Sequence, residues 1–140
     1  MNNAISVLGL ANKAGKIEAG EEPCGAAARA KWAKLIIVAQ DAADNTKRRA
    51  AHFALAGNCE CIEVPFSKDD LGSIIGRTSC AVMAICDAGF ASLFVSKLES
   101  ANPGRYGAVN AVLREKAERA QQRKREKRAH EKNVRTGRKK

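Results

Sequence analysis

Apolar and polar positions along the chain change period several times, and each change marks an element. Ile5, Leu8 and Ala11 recur at helical spacing, so Asn3 is expected to cap a helix over about 4–14, closed by Gly15 in the left-handed position. A short extended piece follows around Lys16 to Glu18. Pro23 to Lys31 then reads as an alanine-rich second helix, with Glu22 in the N-cap region and proline at the first helical position. Lys34 to Ala39 holds a continuous Leu-Ile-Ile-Val run, the pattern of a strand covered on both faces. Asp44 or Asn45 can cap a third helix over about 46–55, ended by Gly57-Asn58. Cys61 to Val64 is a second long strand. Ser67-Lys68-Asp69-Asp70 has the composition of a cap and an acidic first turn, starting a short helix that stops at Gly76. Ala81 to Cys86 is another buried strand. Asp87 caps a helix with Phe90, Leu93, Phe94 and Leu98 on one face.

Short connections between strands and ten-residue helices predict an α/β domain over 1–99, with helices on both sides of a mostly parallel sheet. Beyond Ser100 the pattern changes. Asn102-Pro103-Gly104 breaks the chain, and Val109, Val112, Leu113, Ala117 and Ala120 keep a helical stripe for three turns before basic residues take over. Residues 100–140 therefore read as a separate basic tail, helical over about 108–130 and disordered over its last ten residues.

Charge sharpens that division. Residues 1–99 carry eleven Lys or Arg against eleven Asp or Glu, whereas residues 100–140 carry fourteen against four, so the whole net charge of +10 belongs to the tail. A neutral domain with a cationic extension suits a polyanion, nucleic acid first of all. The longest apolar runs are too short to span a bilayer, and the N-terminus lacks the pattern of a signal peptide, which predicts a cytoplasmic protein with no membrane partner. Five cysteines without a C-x-x-C pair match neither a disulfide framework nor a zinc site. His52 and His130 stand beside no nucleophile, and the glycines lack the spacing of a nucleotide-binding loop. The sequence thus calls for no catalytic residue, metal, cofactor or small-molecule substrate.

The stretch from Ala14 to Ala30 is the first candidate site: helix end, extended piece, tight turn and new helix within seventeen residues. Gly20 lets the backbone turn and approach a partner closely. The free N–H groups of the following helix start, with Lys13 and Lys16 nearby, make either a place where nucleic acid can bind or an ordinary loop between two helices. Lys47, in the run Lys47-Arg48-Arg49, is either a solvated helix residue or a phosphate contact at the edge of that surface. Asp41, at the end of a strand, is either a cap or a neighbour of the site.

Several pieces in order resemble a known family: Leu8-Gly9-Leu10-Ala11, Ala14-Gly15-Lys16, Gly20-Glu21-Glu22, the strand from Lys34 to Ala39, Asp41-Ala42, Asn45-Thr46-Lys47, Asp70-Leu71-Gly72, Ile75-Gly76 and Asp87-Ala88-Gly89-Phe90-Ala91. The family is the ribosomal L-seven-Ae / L-thirty-e superfamily, in its bacterial YlxQ-like branch, and the resemblance runs from about Ile5 to Leu98. It implies a three-layer α/β/α sandwich and RNA binding, typically to kink-turns. In that family a motif of glycine, any residue, Asn, Glu, any two, Lys opens the second helix and reads guanine edges and phosphate. Here the resemblance puts Gly20 at the glycine, Glu22 at the Asn, Pro23 at the Glu and Ala26 at the Lys. A loop before the last strand corresponds to Arg77, Thr78, Ser79 and Cys80, more polar than the family usually shows. The implied function is an RNA-binding accessory protein of the ribosome or translation machinery, its site formed by Lys13, Lys16, Gly20, Glu21, Glu22, Pro23, Asp41, Lys47 and the 77–80 loop. The alternative is a protein-interaction module of the same fold with a non-specific nucleic-acid-binding tail.

Overall fold

The structure is a computed structural model that describes residues 3–135, with side chains described for 4–130. In chain order the elements are α1 (Asn3–Lys13), β1 (Ile17–Ala19), α2 (Glu21–Arg29), β2 (Leu35–Ala39), α3 (Asp44–Gly57), β3 (Glu60–Val64), α4 (Lys68–Ile74), β4 (Val82–Ile85), α5 (Ala88–Ala101) and α6 (Gly107–Arg135). The cap expected from Asn3 falls outside the described side chains, and residues 136–140 of the expected disordered end fall outside the described residues.

The four strands form one sheet in the order β1-β4-β2-β3. β2 and β4 occupy its centre, and every residue of both is buried, as their uninterrupted apolar runs require. The edges are blunted: β1 is three residues long, and β3 carries Glu60 and Glu63. α2 and α3 pack together and on the central strands. α1 and α5 pack together against β1 and β4, with α4 and α6 added to that side, so the sheet lies between two helical layers.

The sheet is mixed, and the expected mostly parallel arrangement is wrong. β2 and β3 are parallel, but β4 runs antiparallel to both of its neighbours, β2 and β1. The cause lies in the connection after β3. α4 has only seven residues, and the segment after it doubles back along it. Arg77 N–H bonds the Gly72 carbonyl at 2.9 Å, Cys80 N–H bonds the Lys68 carbonyl at 2.9 Å, and Ala81 accepts from Ala39 N–H at 2.9 Å. The chain thus returns to the end of the sheet that β2 and β3 have just left, and β4 can only enter running the other way.

Local signals set most boundaries. Ser67 and Asp70 close a reciprocal capping box on α4, and the Asp87 carboxylate accepts Phe90 N–H at 2.9 Å at the start of α5. Asn58 ends α3 in the left-handed conformation. Ala43, rather than Asp44 or Asn45, occupies the N-cap of α3, with no side-chain cap.

The start of the tail belongs to the same core. Tyr106 is buried, and its hydroxyl donates to the Glu63 carbonyl at 3.1 Å. Leu113 is 1% exposed against α5. α6 is therefore docked over its first turns and exposed beyond them.

Candidate nucleic-acid interface

At the end of the sheet where β1 stops and β4 begins, two segments meet. Gly20 is the N-cap of α2, with φ 99° and ψ 163°, a conformation open to glycine and strained for residues with a Cβ. Its N–H donates to the Val82 carbonyl at 3.0 Å, and its own carbonyl accepts Cys24 N–H at 3.0 Å, the first turn of α2. The helix thus starts at Glu21, and Pro23 is its third residue rather than its first. Proline is tolerated there because the first four N–H groups of a helix have no intrahelical partner in any case.

The 77–80 loop lies alongside. A Cβ at Gly20 would stand 4.0 Å from the Arg77 guanidinium. Arg77 is exposed and has no carboxylate within ion-pair distance among the described residues. Thr78 and Ser79 are exposed as well. Cys80 is buried, and its thiol donates to the Val82 carbonyl at 3.1 Å, so it joins the loop to β4 instead of facing a partner. Burial pushes that thiol's pKa up, partly offset by the backbone groups of Val82 and Gly20.

Glu21 and Glu22 fill the first turn of α2, where negative charge offsets the helix dipole. Arg49 of α3 reaches across to Glu21, with its guanidinium 2.9 and 3.1 Å from the two carboxylate oxygens. The corner therefore carries an exposed Arg77, a paired Arg49 and an exposed Glu22.

The remaining sequence candidates lie elsewhere. Lys47 faces the other way: its ammonium is 2.7 Å from the Glu63 carboxylate on β3, whose hydrogen bond raises the lysine pKa. Asp41 accepts Lys68 N–H at 2.8 Å and so caps the start of α4. Lys16 sits at the far end of β1, where its carbonyl accepts Cys86 N–H at 2.8 Å; four residues of extended chain, about 13 Å, separate it from Gly20. Lys13 lies beyond it in the last turn of α1. The structure thus assembles Gly20, Glu21, Glu22, Pro23, Arg77, Thr78 and Ser79 and separates Lys13, Lys16, Asp41 and Lys47 from them. Arg49, two residues after Lys47, is the basic residue of its run that reaches the corner. Among the described residues no cluster of His, Cys, Asp and Glu is arranged to hold a metal ion, and no helix is long and apolar enough to cross a membrane.

Residues 2–95 match the Ribosomal protein L7Ae/L30e/S12e/Gadd45 family. The chain is 34% identical over 97 residues to the RNA-binding protein YlxQ of Bacillus subtilis (strain 168), covering 66% of this chain and 92% of that one. It is 38% identical over 88 residues to the RNA-binding protein YlxQ of Enterococcus faecium, covering 63% and 84%. Among solved structures, a protein of unknown function from Bacillus halodurans C superposes with a TM-score of 0.65 at 26% identity, covering 71% of this chain and 99% of that one.

Proposed function

The chain belongs to the L7Ae/L30e/S12e/Gadd45 family, and from that premise we propose that it binds RNA through the corner formed by the start of α2 and the 77–80 loop. The observation that carries this reading is the exposed Arg77 guanidinium beside the left-handed Gly20 cap. A phosphate fits between a cation and a helix start, and Gly20 leaves room for an RNA backbone to come close. Two relatives named as RNA-binding proteins, matched over most of their length, support the same ligand.

The RNA is sharply bent or looped, with a kink-turn as one candidate, and the protein acts beside the ribosome or the translation machinery in the cytoplasm. Glu22, Pro23 and Ala26 stand where the family motif has Asn, Glu and Lys. Each bidentate base contact contributes about 1–3 kcal/mol of discrimination, so their replacement shifts recognition from guanine edges toward backbone shape.

Electrophoretic titration of the full chain against a kink-turn RNA and a plain duplex of equal length tests this. The expected outcome is at least tenfold tighter binding of the bent RNA, a preference removed by Arg77→Glu. Equal affinity for both RNAs, unchanged in Arg77→Glu, rejects the corner as a reader.

A further inference from the structure

At the opposite end of β4 from Gly20, α6 and three loops border an open groove of about 620 Å³. Lys31 and Lys34 border it from the α2–β2 loop, and Lys116, Arg119, Arg123 and Lys124 from α6. Asp87 is the one acidic residue among those lining it, and its carboxylate is already bonded to Phe90 N–H. The cations are brought together by the fold, since the two loop lysines and the four helix residues are more than eighty positions apart in sequence. On α6 Lys116, Arg119 and Arg123 recur at spacings of three and four, which keeps them on one face, with Lys124 about 100° round at its border. That face continues the stripe that buries Leu113 lower on the helix.

Trp32, the single tryptophan of the chain, stands between the two loop lysines and is 66% exposed. Its backbone is fixed: Trp32 N–H and Ala33 N–H both donate to the Ala27 carbonyl, at 2.9 and 3.3 Å. Lys31 before it holds φ 64° and donates from its ammonium to the Ala56 carbonyl. The ring does not itself line the groove, but it stands in sequence between Lys31 and Lys34, which do, and of the six cations there Arg119 is paired with Glu115. A large apolar ring held out in water on a rigid turn at the border of such a groove matches what single-stranded RNA requires. Phosphates need the cations, and an unstacked base needs an aromatic face.

We propose that this groove is a second RNA site, which takes a single-stranded segment with its phosphates along α6 and one base stacked on Trp32. It rests on the preceding reading only for the class of ligand. Gly20 N–H donates to the Val82 carbonyl at one end of β4, and Lys34 N–H to the Ile85 carbonyl at the other, so the two sites lie at opposite ends of that strand. One RNA can therefore be held at two points, its bend at the corner and a flanking strand in the groove.

Tryptophan fluorescence of the full chain, excited selectively at the indole so that Tyr106 stays dark, provides the test, because Trp32 is the single tryptophan. Oligouridylate of about ten nucleotides is expected to quench the emission at saturation. Inorganic polyphosphate, which has charge without bases, is expected to bind and leave it unchanged. Trp32→Ala should weaken oligouridylate binding about tenfold and leave polyphosphate binding as it was. The double variant Lys34→Glu, Arg123→Glu, both exposed positions, should reduce the log–log salt slope by about 1.4, at roughly 0.7 per phosphate contact on a single strand. Unchanged emission with saturating RNA overturns the proposal, as does equal quenching by polyphosphate or an unchanged slope. Arg77→Glu separates the two sites. If it abolishes the preference for bent RNA and leaves the quenching intact, the groove acts on its own. If it abolishes the quenching too, there is no independent second site.

Discussion

At Gly20 a side chain finds space but not a conformation, whereas at Gly72 it finds a conformation but no space. The nearest atom to a Cβ at Gly20 is Pro23 Cδ at 3.7 Å, an ordinary contact, so the cost of Gly20→Ala is the strained φ of 99°, about 1–3 kcal/mol. A Cβ at Gly72 would lie 2.6 Å from Ser79 Cα and 2.7 Å from Ser79 N, backbone that has no rotamer to change. Gly72→Ala should therefore cost at least as much, about 3 kcal/mol by overpacking, and also displace Arg77. Urea unfolding measures the first effect and RNA titration the second; a Gly72→Ala chain of unchanged stability and affinity contradicts the packing. The cysteines carry a pH prediction. Burial raises the Cys61 pKa from 9.0 to about 11 and raises the other four as well. Above pH 9 the unfolded chain therefore loses these protons before the folded one does, and with fewer protons bound in the unfolded state stability falls as pH rises. The urea midpoint should drop between pH 9 and pH 11, and Cys61→Ala should make that drop shallower.

The short helix α4 shows what an element needs from its neighbours. Ser67 Oγ accepts Asp70 N–H at 3.1 Å, Asp70 returns the bond to Ser67 N–H at 3.2 Å, and Asp41 from the end of β2 takes Lys68 N–H. Ser67→Ala should cost about 1 kcal/mol. Combined with Asp41→Ala, it should show an interaction of at least about 0.5 kcal/mol in a double-mutant cycle, because both residues satisfy the same helix start. Additive losses would mean that the two caps act separately. The caps at Ser67 and Asp87 were readable in the sequence because the capping side chain and the N–H that it accepts lie three residues apart. β2 and β4 were readable because burial on both faces leaves an unbroken apolar run. Strand direction was not, since the seven-residue α4 and its returning segment look in sequence like any short crossover. The choice between Lys47 and Arg49 was hidden for another reason. Two residues along a helix turn the side chain by about 200°, so one meets Glu63 and the other Glu21, and only the assembled neighbours say which is which.

For the whole molecule, the question is where the domain ends. The composition changes at residue 100, yet Phe94, Val95 and Leu98 on α5 are fully buried, and Tyr106 and Leu113 belong to the same core cluster. The charge boundary and the packing boundary are thus different, because the basic segment itself supplies Tyr106 and Leu113 to the core. Truncation should distinguish them. A chain ending at Arg105 loses Tyr106 and Leu113, exposes the α5 face, and should lose about 3 kcal/mol or more, lowering the melting temperature by at least about 10 °C. One ending at Ala120 keeps both residues and should melt within a few degrees of the full chain, yet bind RNA with a shallower salt dependence because Arg123, Lys124 and the cations after them are gone. Equal melting of the 105-residue and full chains would make α6 a passive appendage. Loss of stability at Ala120 would extend the core into the cationic part of the helix. The expected split has a structural consequence: one continuous helix closes the core with its first turns and carries charge to the far end of the sheet with its later ones.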